Sequence, residues 1–315
     1  MSKMSLRDLL RASTECVLAP CVYDSASARA VELVGFKAMM FSSGEFSVAT
    51  TGLPDYGFSD CGDVEWMVNR ITLTSPLPLA VDIEDGFGGP LAVYRTCKRM
   101  VRAGASAVQL EDSANPDDAW GPLLSREEYL AKVRAAIEAT AGSDCMVIAR
   151  TNADPATELE EAVTRCAAAY ELGAEMTTVV RLSNLSDAAY VAERLPGWKM
   201  YPDVSGRHGR AEVTVEEVYP LGFNFMTMHY LLKAAMDGML EHGRRNFEQE
   251  GCLYTADKED ATGLFGESAS ALFDPDSYMD LEAKFTSQRR EYRIGDRVVA
   301  DFPEQFVHTP LEERF

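Results

Sequence analysis

The chain of 315 residues has no apolar run approaching the roughly eighteen needed for a membrane-spanning helix, so no membrane partner is expected. It has no Cys-x-x-Cys pair. Its seven cysteines (Cys16, Cys21, Cys61, Cys97, Cys145, Cys166 and Cys252) are scattered and odd in number, a pattern that argues against a zinc site or a disulfide frame and for reduced thiols in a cytoplasm. Histidine is scarce, and His208, His229, His242 and His308 form no zinc pattern. Basic residues are few: 30 Lys+Arg against 50 Asp+Glu leave a net charge of −20, which repels a phosphate backbone and excludes nucleic acid as an expected partner. Residues 1–11 are charged and lack an apolar h-region, so they do not read as a secretory signal. The expected location is therefore cytoplasmic. There is also no Gly-x-Gly-x-x-Gly, the first turn of a dinucleotide-binding open sheet.

What the chain does have is repetition. Apolar runs occur at residues 16–23, 38–41, 77–83, 107–110, 145–149, 176–180, 198–201 and 223–228, most of them rich in Val, Ile, Met or Phe. Continuous rather than alternating hydrophobicity fits parallel strands buried on both faces. Segments with helical spacing separate them, at 25–33, 61–72, 91–103, 125–139, 157–172, 186–195, 214–219 and 231–248. Glycines at Gly35, Gly104, Gly173 and Gly222 sit where helix C-caps belong. Eight strand–helix alternations are the count of an α/β (β/α)8 TIM barrel; a doubly wound open sheet, with about five or six strands, is the alternative. The pattern changes near residue 250. The expected organisation is a barrel over 1–250 and a C-terminal helical tail over 251–315, packed on the barrel or on a neighbouring subunit.

In such a barrel the chemistry sits at the C-terminal strand ends. Read in order, those ends offer Tyr23-Asp24-Ser25, Ser42-Ser43-Gly44, Asp82 with Glu84 and Asp85, Glu111-Asp112, Arg150-Thr151-Asn152 with Asp154, Arg181, Asp203 and His229. Asp82 and Glu84 lie two apart, so a regular strand points both the same way. With Glu111 on the next strand, three carboxylates converge, and like charges so placed raise one another's pKa or call for a hard divalent cation such as Mg²⁺. The bland reading of Asp82 to Gly86 is an acidic capping turn. Arg150 suits a substrate carboxylate held bidentately, and a structural ion pair to Glu111 or Asp82 is equally compatible with it. Ser42-Ser43-Gly44 reads as a turn that holds an anion, or as an ordinary polar turn. Asp55, in Gly52-Leu53-Pro54-Asp55-Tyr56-Gly57, is a metal outer-shell group or a turn residue. His229 reads as a satisfied histidine more readily than as a proton donor.

These stretches together resemble the isocitrate lyase/phosphoenolpyruvate mutase superfamily. The matching segments are residues 19–29, Ser42-Ser43-Gly44 with Gly52-Leu53-Pro54-Asp55, Val81-Asp82-Ile83-Glu84-Asp85-Gly86-Phe87-Gly88, Leu110-Glu111-Asp112-Ser113, and Ile148-Ala149-Arg150-Thr151-Asn152-Ala153. The resemblance implies a barrel with Mg²⁺ (or Mn²⁺), a small 2-oxo or 2-hydroxy acid substrate and an enolate-like species. It implies Asp82 as direct metal ligand, with Glu84, Glu111 and Asp55 acting directly or through water. Asp55, Glu111 and Arg150 are the expected catalytic groups. Tyr23, Ser42, Ser43, Gly44, Asp82, Arg150, Arg181 and Asp203 are the expected substrate contacts. It also implies a homotetramer, a dimer of dimers that exchange C-terminal helices, with residues 231–248 and the tail beyond them as the exchanged part.

The departures narrow the reaction. The lyases of the superfamily carry a Lys-x-Cys-Gly-His loop, but here residues 111–120 read Glu-Asp-Ser-Ala-Asn-Pro-Asp-Asp-Ala-Trp. The mutase's Lys- and Asn-bearing loop is missing too. Strand six runs into Arg181 where the lyases have a glutamate, and strand seven into Asp203 where they have an asparagine. The metal and oxo-acid half of the site is kept and the other half rewritten. The expected activity is metal-dependent C–C cleavage of a small 2-oxo or 2-hydroxy dicarboxylate, oxaloacetate decarboxylase-like or methylisocitrate lyase-like, without a cysteine acid. The alternatives are P–C chemistry of the phosphoenolpyruvate mutase or phosphonopyruvate hydrolase type and, from another class, a ligand-binding barrel without turnover.

Overall fold

The computed structural model describes residues 3–114, 122–202, 206–207, 210–211, 213–249, 251, 272–286, 293–294, 297–298, 307 and 309–311. Strands β1 (Val17–Val22), β2 (Met39–Phe41), β3 (Leu79–Asp82), β4 (Ala107–Leu110), β5 (Met146–Thr151), β6 (Met176–Val179), β7 (Trp198–Tyr201) and β8 (Phe223–Met228) close into one parallel barrel, with β8 pairing back onto β1. This is the expected (β/α)8 architecture. Around it run α1 (Leu6–Ala12), α2 (Ser25–Val34), α3 (Ser43–Thr51), α4 (Cys61–Thr74), α5 (Pro90–Arg102), α6 (Arg126–Thr140), α7 (Pro155–Leu172), α8 (Leu185–Arg194), the single turn α9 (Val215–Val218), α10 (Leu231–Glu248) and α11 (Pro275–Thr286). No helix among the described residues is long and apolar enough to cross a membrane.

Two helices were not anticipated. The first, α1, is capped by Ser5, whose side chain accepts from the Asp8 N–H, and it buries Leu6 and Leu10, which lie on one face at i and i+4. Those two leucines join the cluster inside the barrel, and Arg7 bonds Glu175 at 2.7 and 2.8 Å just before β6. A short charged segment thus closes the N-terminal end. The second, α3, begins within the expected Ser42-Ser43-Gly44 turn: Ser42 is its N-cap and accepts from the Glu45 N–H at 3.2 Å.

Strand periodicity aims the site. Val17, Ala19 and Cys21 of β1, Met40 of β2, Ala80 of β3, Ala107 of β4, Met146 and Ile148 of β5, Met176 of β6, Met200 of β7 and Phe225 of β8 form one interior cluster. Val81, Val108, Val147 and Ala149 face outward, against Val93, Met100, Tyr129 and Val133 of the surrounding helices. Side chains alternate along a strand, so positions of the inward register nearer the C-terminal end include Ser42, Asp82, Gln109, Arg150, Val180, Pro202 and Thr227. All seven line a single cavity there.

One expectation needs correcting. Asp82 and Glu84 do not share a regular strand: β3 ends at Asp82, and Glu84 has φ of +51°. The chain turns there because the Gly86 N–H bonds the Ile83 carbonyl at 2.8 Å. Glu84 still reaches the cavity, held in place by its own carbonyl accepting from the Glu111 N–H at 3.0 Å.

The tail meets the barrel at α2. Arg29 Nε donates to the Leu272 carbonyl at 2.7 Å, and the Val307 N–H bonds the Leu33 carbonyl at 2.9 Å.

Candidate active site

The cavity at the C-terminal mouth has a volume near 340 Å³ and is lined by Met40, Ser42, Ser43, Gly44, Asp55, Asp82, Glu84, Gln109, Arg150, Val180, Arg181, Met200, Pro202, Thr227 and His229. A larger cleft of about 440 Å³ lies between α2 and α11, lined by Ser25, Ala28, Arg29, Phe273, Tyr278 and Met279 among others, and shares no lining residue with the mouth cavity. The mouth cavity is the chemically equipped one, since three acids, two hydroxyls of one turn and two guanidinium groups converge on it.

Arg150 is its centre. Its guanidinium lies 2.9 Å from Glu111 Oε2 and 3.2 Å from Asp82 Oδ2, and its Nε donates to Asn152 Oδ1 at 3.0 Å. Burial works against the Arg150 charge, but Glu111, Asp82, Glu84 and Asp112 outweigh it and hold the group more basic than a free arginine. The acids feel the reverse. Burial first, then the charges of Asp82 and Glu111, lifts Glu84 well above the usual carboxylate range, with the Ser43 hydroxyl and Arg150 opposing. Burial likewise raises Asp82, with Arg150 opposing and Glu111 adding to the rise. Asp55 is raised by burial and by Asp82 and Glu111.

Asp55 reaches this group because residue 44 is glycine. A Cβ built on Gly44 would sit 2.9 Å from the Asp55 carboxyl carbon, closer than side chains pack. The Asp55 carboxylate therefore rests against the first turn of α3, where a helix presents N–H groups it cannot satisfy itself and negative charge is favoured.

The expected residues fall into distinct places. Ser42, Ser43, Gly44, Asp55, Asp82, Glu84, Arg150 and Arg181 line one cavity. Glu111 lies behind Arg150, 1 % exposed. Tyr23 is not among the lining residues; it packs in the core beside Phe41 and Phe46, and burial raises its hydroxyl pKa. Asp203 lies outside the described residues. Arg181 sits in the left-handed region, φ +62°, and donates to the Asn152 carbonyl. The remaining strand-end acids have structural partners. Asp24 caps α2. Asp85 pairs with Lys132 at 2.8 Å. Asp112 accepts from Thr151 Oγ1 at 2.6 Å and from the Asn152 N–H at 2.8 Å, and pairs with Arg165 at 3.2 Å. Sequence reasoning missed Gln109, whose side chain bonds Asp82, and Thr227. Counting back two residues from Glu111 finds Gln109, and two back from His229 finds Thr227.

Among the described residues no three His, Cys, Asp or Glu side chains form a ready-made cation cage. Of the expected ligands Asp82, Glu84 and Glu111, the last is turned onto Arg150 at 2.9 Å. Mg²⁺ rarely needs such a cage: it is commonly held by one or two carboxylates, with waters and substrate oxygens completing the shell. The donor set fits that mode. Asp82 and Glu111 share one guanidinium, Asp82 and Glu84 border the cavity with their pKa values raised, and the buried Gln109 Oε1 beside them has no hydrogen-bond partner.

Comparison with known proteins accords with this geometry. The chain is 32 % identical over 275 residues to the petal death protein of Dianthus caryophyllus, covering 85 % of each. It is 33 % identical over 234 residues to 2-methylisocitrate lyase of Vibrio cholerae, covering 67 % of this chain and 74 % of that one. The structure of oxaloacetate acetylhydrolase in complex with the inhibitor 3,3-difluorooxalacetate superposes with a TM-score of 0.78 at 27 % identity, covering 91 % of this chain and 96 % of the other. Residues 6–245 match the family model for phosphoenolpyruvate phosphomutase, and the chain therefore belongs to the isocitrate lyase/phosphoenolpyruvate mutase superfamily.

Proposed function

We propose that the protein is a metal-dependent carbon–carbon lyase acting on a small 2-oxo or 2-hydroxy dicarboxylate. The observation that carries this reading is a single small cavity lined by Asp55, Asp82, Glu84 and Arg150, in which Arg150 pairs with Asp82 at 3.2 Å and with Glu111 behind it at 2.9 Å, with Arg181, Thr227 and His229 entering from β6 and β8. The similarity to a 2-methylisocitrate lyase and to an oxaloacetate acetylhydrolase supports it.

In this reading Asp82 would hold Mg²⁺ or Mn²⁺ directly, Glu84 and Asp55 would hold its waters, and Glu111 would act through Arg150. The bound ion would supply polarisation of the substrate's 2-oxo or 2-hydroxy oxygen and offset the charge of the enolate. Arg150 grips the adjoining carboxylate through the guanidinium protons that Asp82, Glu111 and Asn152 do not use. Ser42, Ser43 and Gly44 present hydroxyls and the first N–H groups of α3 to the oxygen where charge develops. Arg181 suits the second carboxylate. In an oxaloacetate-like 2-oxo acid the C3–C4 bond breaks, CO₂ leaves, and the electron pair left on C3 passes into the C2 carbonyl as an enolate, which water or another group then protonates at C3. No cysteine acid is needed. A panel of oxaloacetate, 2-methylisocitrate, dimethylmalate, phosphonopyruvate and phosphoenolpyruvate, assayed with Mg²⁺, tests the reading: turnover of a dicarboxylate is expected, and turnover of the phosphonates alone would move the assignment to P–C chemistry.

The same reading includes a homotetramer built by exchange of C-terminal helices. In its support, α10 buries no residue, and Met239, Leu240 and Phe247 are 60 %, 64 % and 85 % exposed. An apolar surface of that kind usually marks an interface. Light scattering at micromolar concentration should give four times the chain mass, and a monomer would refute it.

A further inference from the structure

Asn152 is not among the residues that line the cavity, yet it touches the one that matters most. It is 3 % exposed, directly after β5, and its amide is used at both ends. Oδ1 accepts from Arg150 Nε at 3.0 Å, while Nδ2 donates to Ser113 Oγ at 2.6 Å. An arginine Nε can only donate, so the amide orientation is fixed by chemistry. The backbone of Asn152 is held as firmly: its N–H bonds Asp112 Oδ1 at 2.8 Å. Each guanidinium nitrogen of Arg150 therefore has its own anchor, Asp82 for Nη1, Glu111 for Nη2 and Asn152 for Nε. Two of these anchors are acids. The third is neutral, and it fixes the plane of the guanidinium without adding a further negative charge to a group whose carboxylates already raise one another's pKa.

We infer that Asn152 is a positioning residue for substrate binding, orienting Arg150 through a Ser113–Asn152–Arg150 hydrogen-bond line. This rests on the reading that Arg150 grips the substrate carboxylate. A guanidinium binds a carboxylate through two parallel N–H groups only if its plane is set, so loss of the Nε anchor should weaken binding of ground and transition states alike. The effect should then appear in KM, with kcat changed much less.

The test uses the full chain with Mg²⁺ and oxalate as probe, measured by calorimetry, beside KM and kcat on the best substrate of the panel. Asn152→Ala is expected to weaken oxalate binding about tenfold, the size of one hydrogen bond to a charged group. Ser113→Ala, remote from the cavity, should weaken it in the same direction by less. The double variant should be no worse than Asn152→Ala alone, since both changes break one line. Arg150→Ala should abolish binding. Wild-type oxalate affinity in Asn152→Ala, with Arg150→Ala inactive in binding, would overturn the inference and leave the reading of Arg150 standing. Should Asn152→Ala not fold, wild-type affinity in Ser113→Ala overturns it equally. Wild-type affinity in Arg150→Ala would overturn the reading, and the inference with it.

Discussion

Asp82→Ala is expected to lower metal-dependent turnover by well over a hundredfold, more than the roughly 10–100-fold that outer-shell partners of a metal site cost, while the barrel stays folded. Among the described residues, Asp82 is the one acid that both ends a regular barrel strand on the inward register and borders the cavity. Its loss should not unfold the chain, because burial and the Glu111 charge disfavour its ionised form and Arg150 keeps Glu111 at 2.9 Å. Turnover against titrated Mg²⁺, together with a thermal melt, checks both halves. Full activity of the unaltered protein in excess chelator would sink the metal reading outright.

The largest effect on stability is expected at Asp112→Ala. Asp112 is fully buried, Arg165 nearly so, and the carboxylate serves Arg165, the Thr151 hydroxyl and the Asn152 N–H at once. Removing it leaves the buried guanidinium with Glu161 as its remaining acid and strips two further donors of their acceptor. Breaking a buried pair from one side costs about 3–5 kcal/mol. Arg165 retains its bonds to the Leu124 carbonyl at 2.9 Å and to Glu161 at 2.8 Å, which keeps the expected loss within that range. Changing both partners, Asp112→Leu with Arg165→Met, should recover part of the loss, since no unpaired charge remains, but not all of it, since Thr151 and Asn152 stay unsatisfied. Urea unfolding measures both variants. A midpoint for Asp112→Ala equal to that of the unaltered protein would show that the pair contributes nothing.

Strands were legible because a strand buried on both faces has to be apolar throughout, and the eight runs coincide with the eight barrel strands to within a few residues at each end. The helix α3 was not, because Ser42, Ser43 and Gly44 suit a helix N-terminus and a turn equally well, and the rest of the helix, Glu-Phe-Ser-Val-Ala-Thr-Thr, carries no strong helical period. Within the site, charge was the readable signal, and it read too widely. Asp82, Glu84, Asp85, Glu111 and Asp112 look alike in the sequence. They are separated by pairing over long distances in the chain: Lys132 takes Asp85 and Arg165 takes Asp112, both from helices far along it. Gln109 was missed, and Asn152 was read only as part of a strand end, because each matters through the direction of one amide, which no composition or spacing encodes.

The strict alternation that aims Met146, Ile148 and Arg150 inward on β5, while Val147, Ala149 and Thr151 face the helices, divides the chain into two regimes of tolerance to length change. Deleting one residue between Ile148 and Arg150 would swing the guanidinium out of the mouth into the helical layer, because a one-residue slip exchanges the two faces of a strand. A residue gained or lost in the loop between Ala153 and Pro155, or between Gly88 and Pro90, leaves every inward side chain where it was. New substrates can therefore be reached by lengthening or shortening the loops that leave the strand ends, whereas within the strands only replacement in place is open.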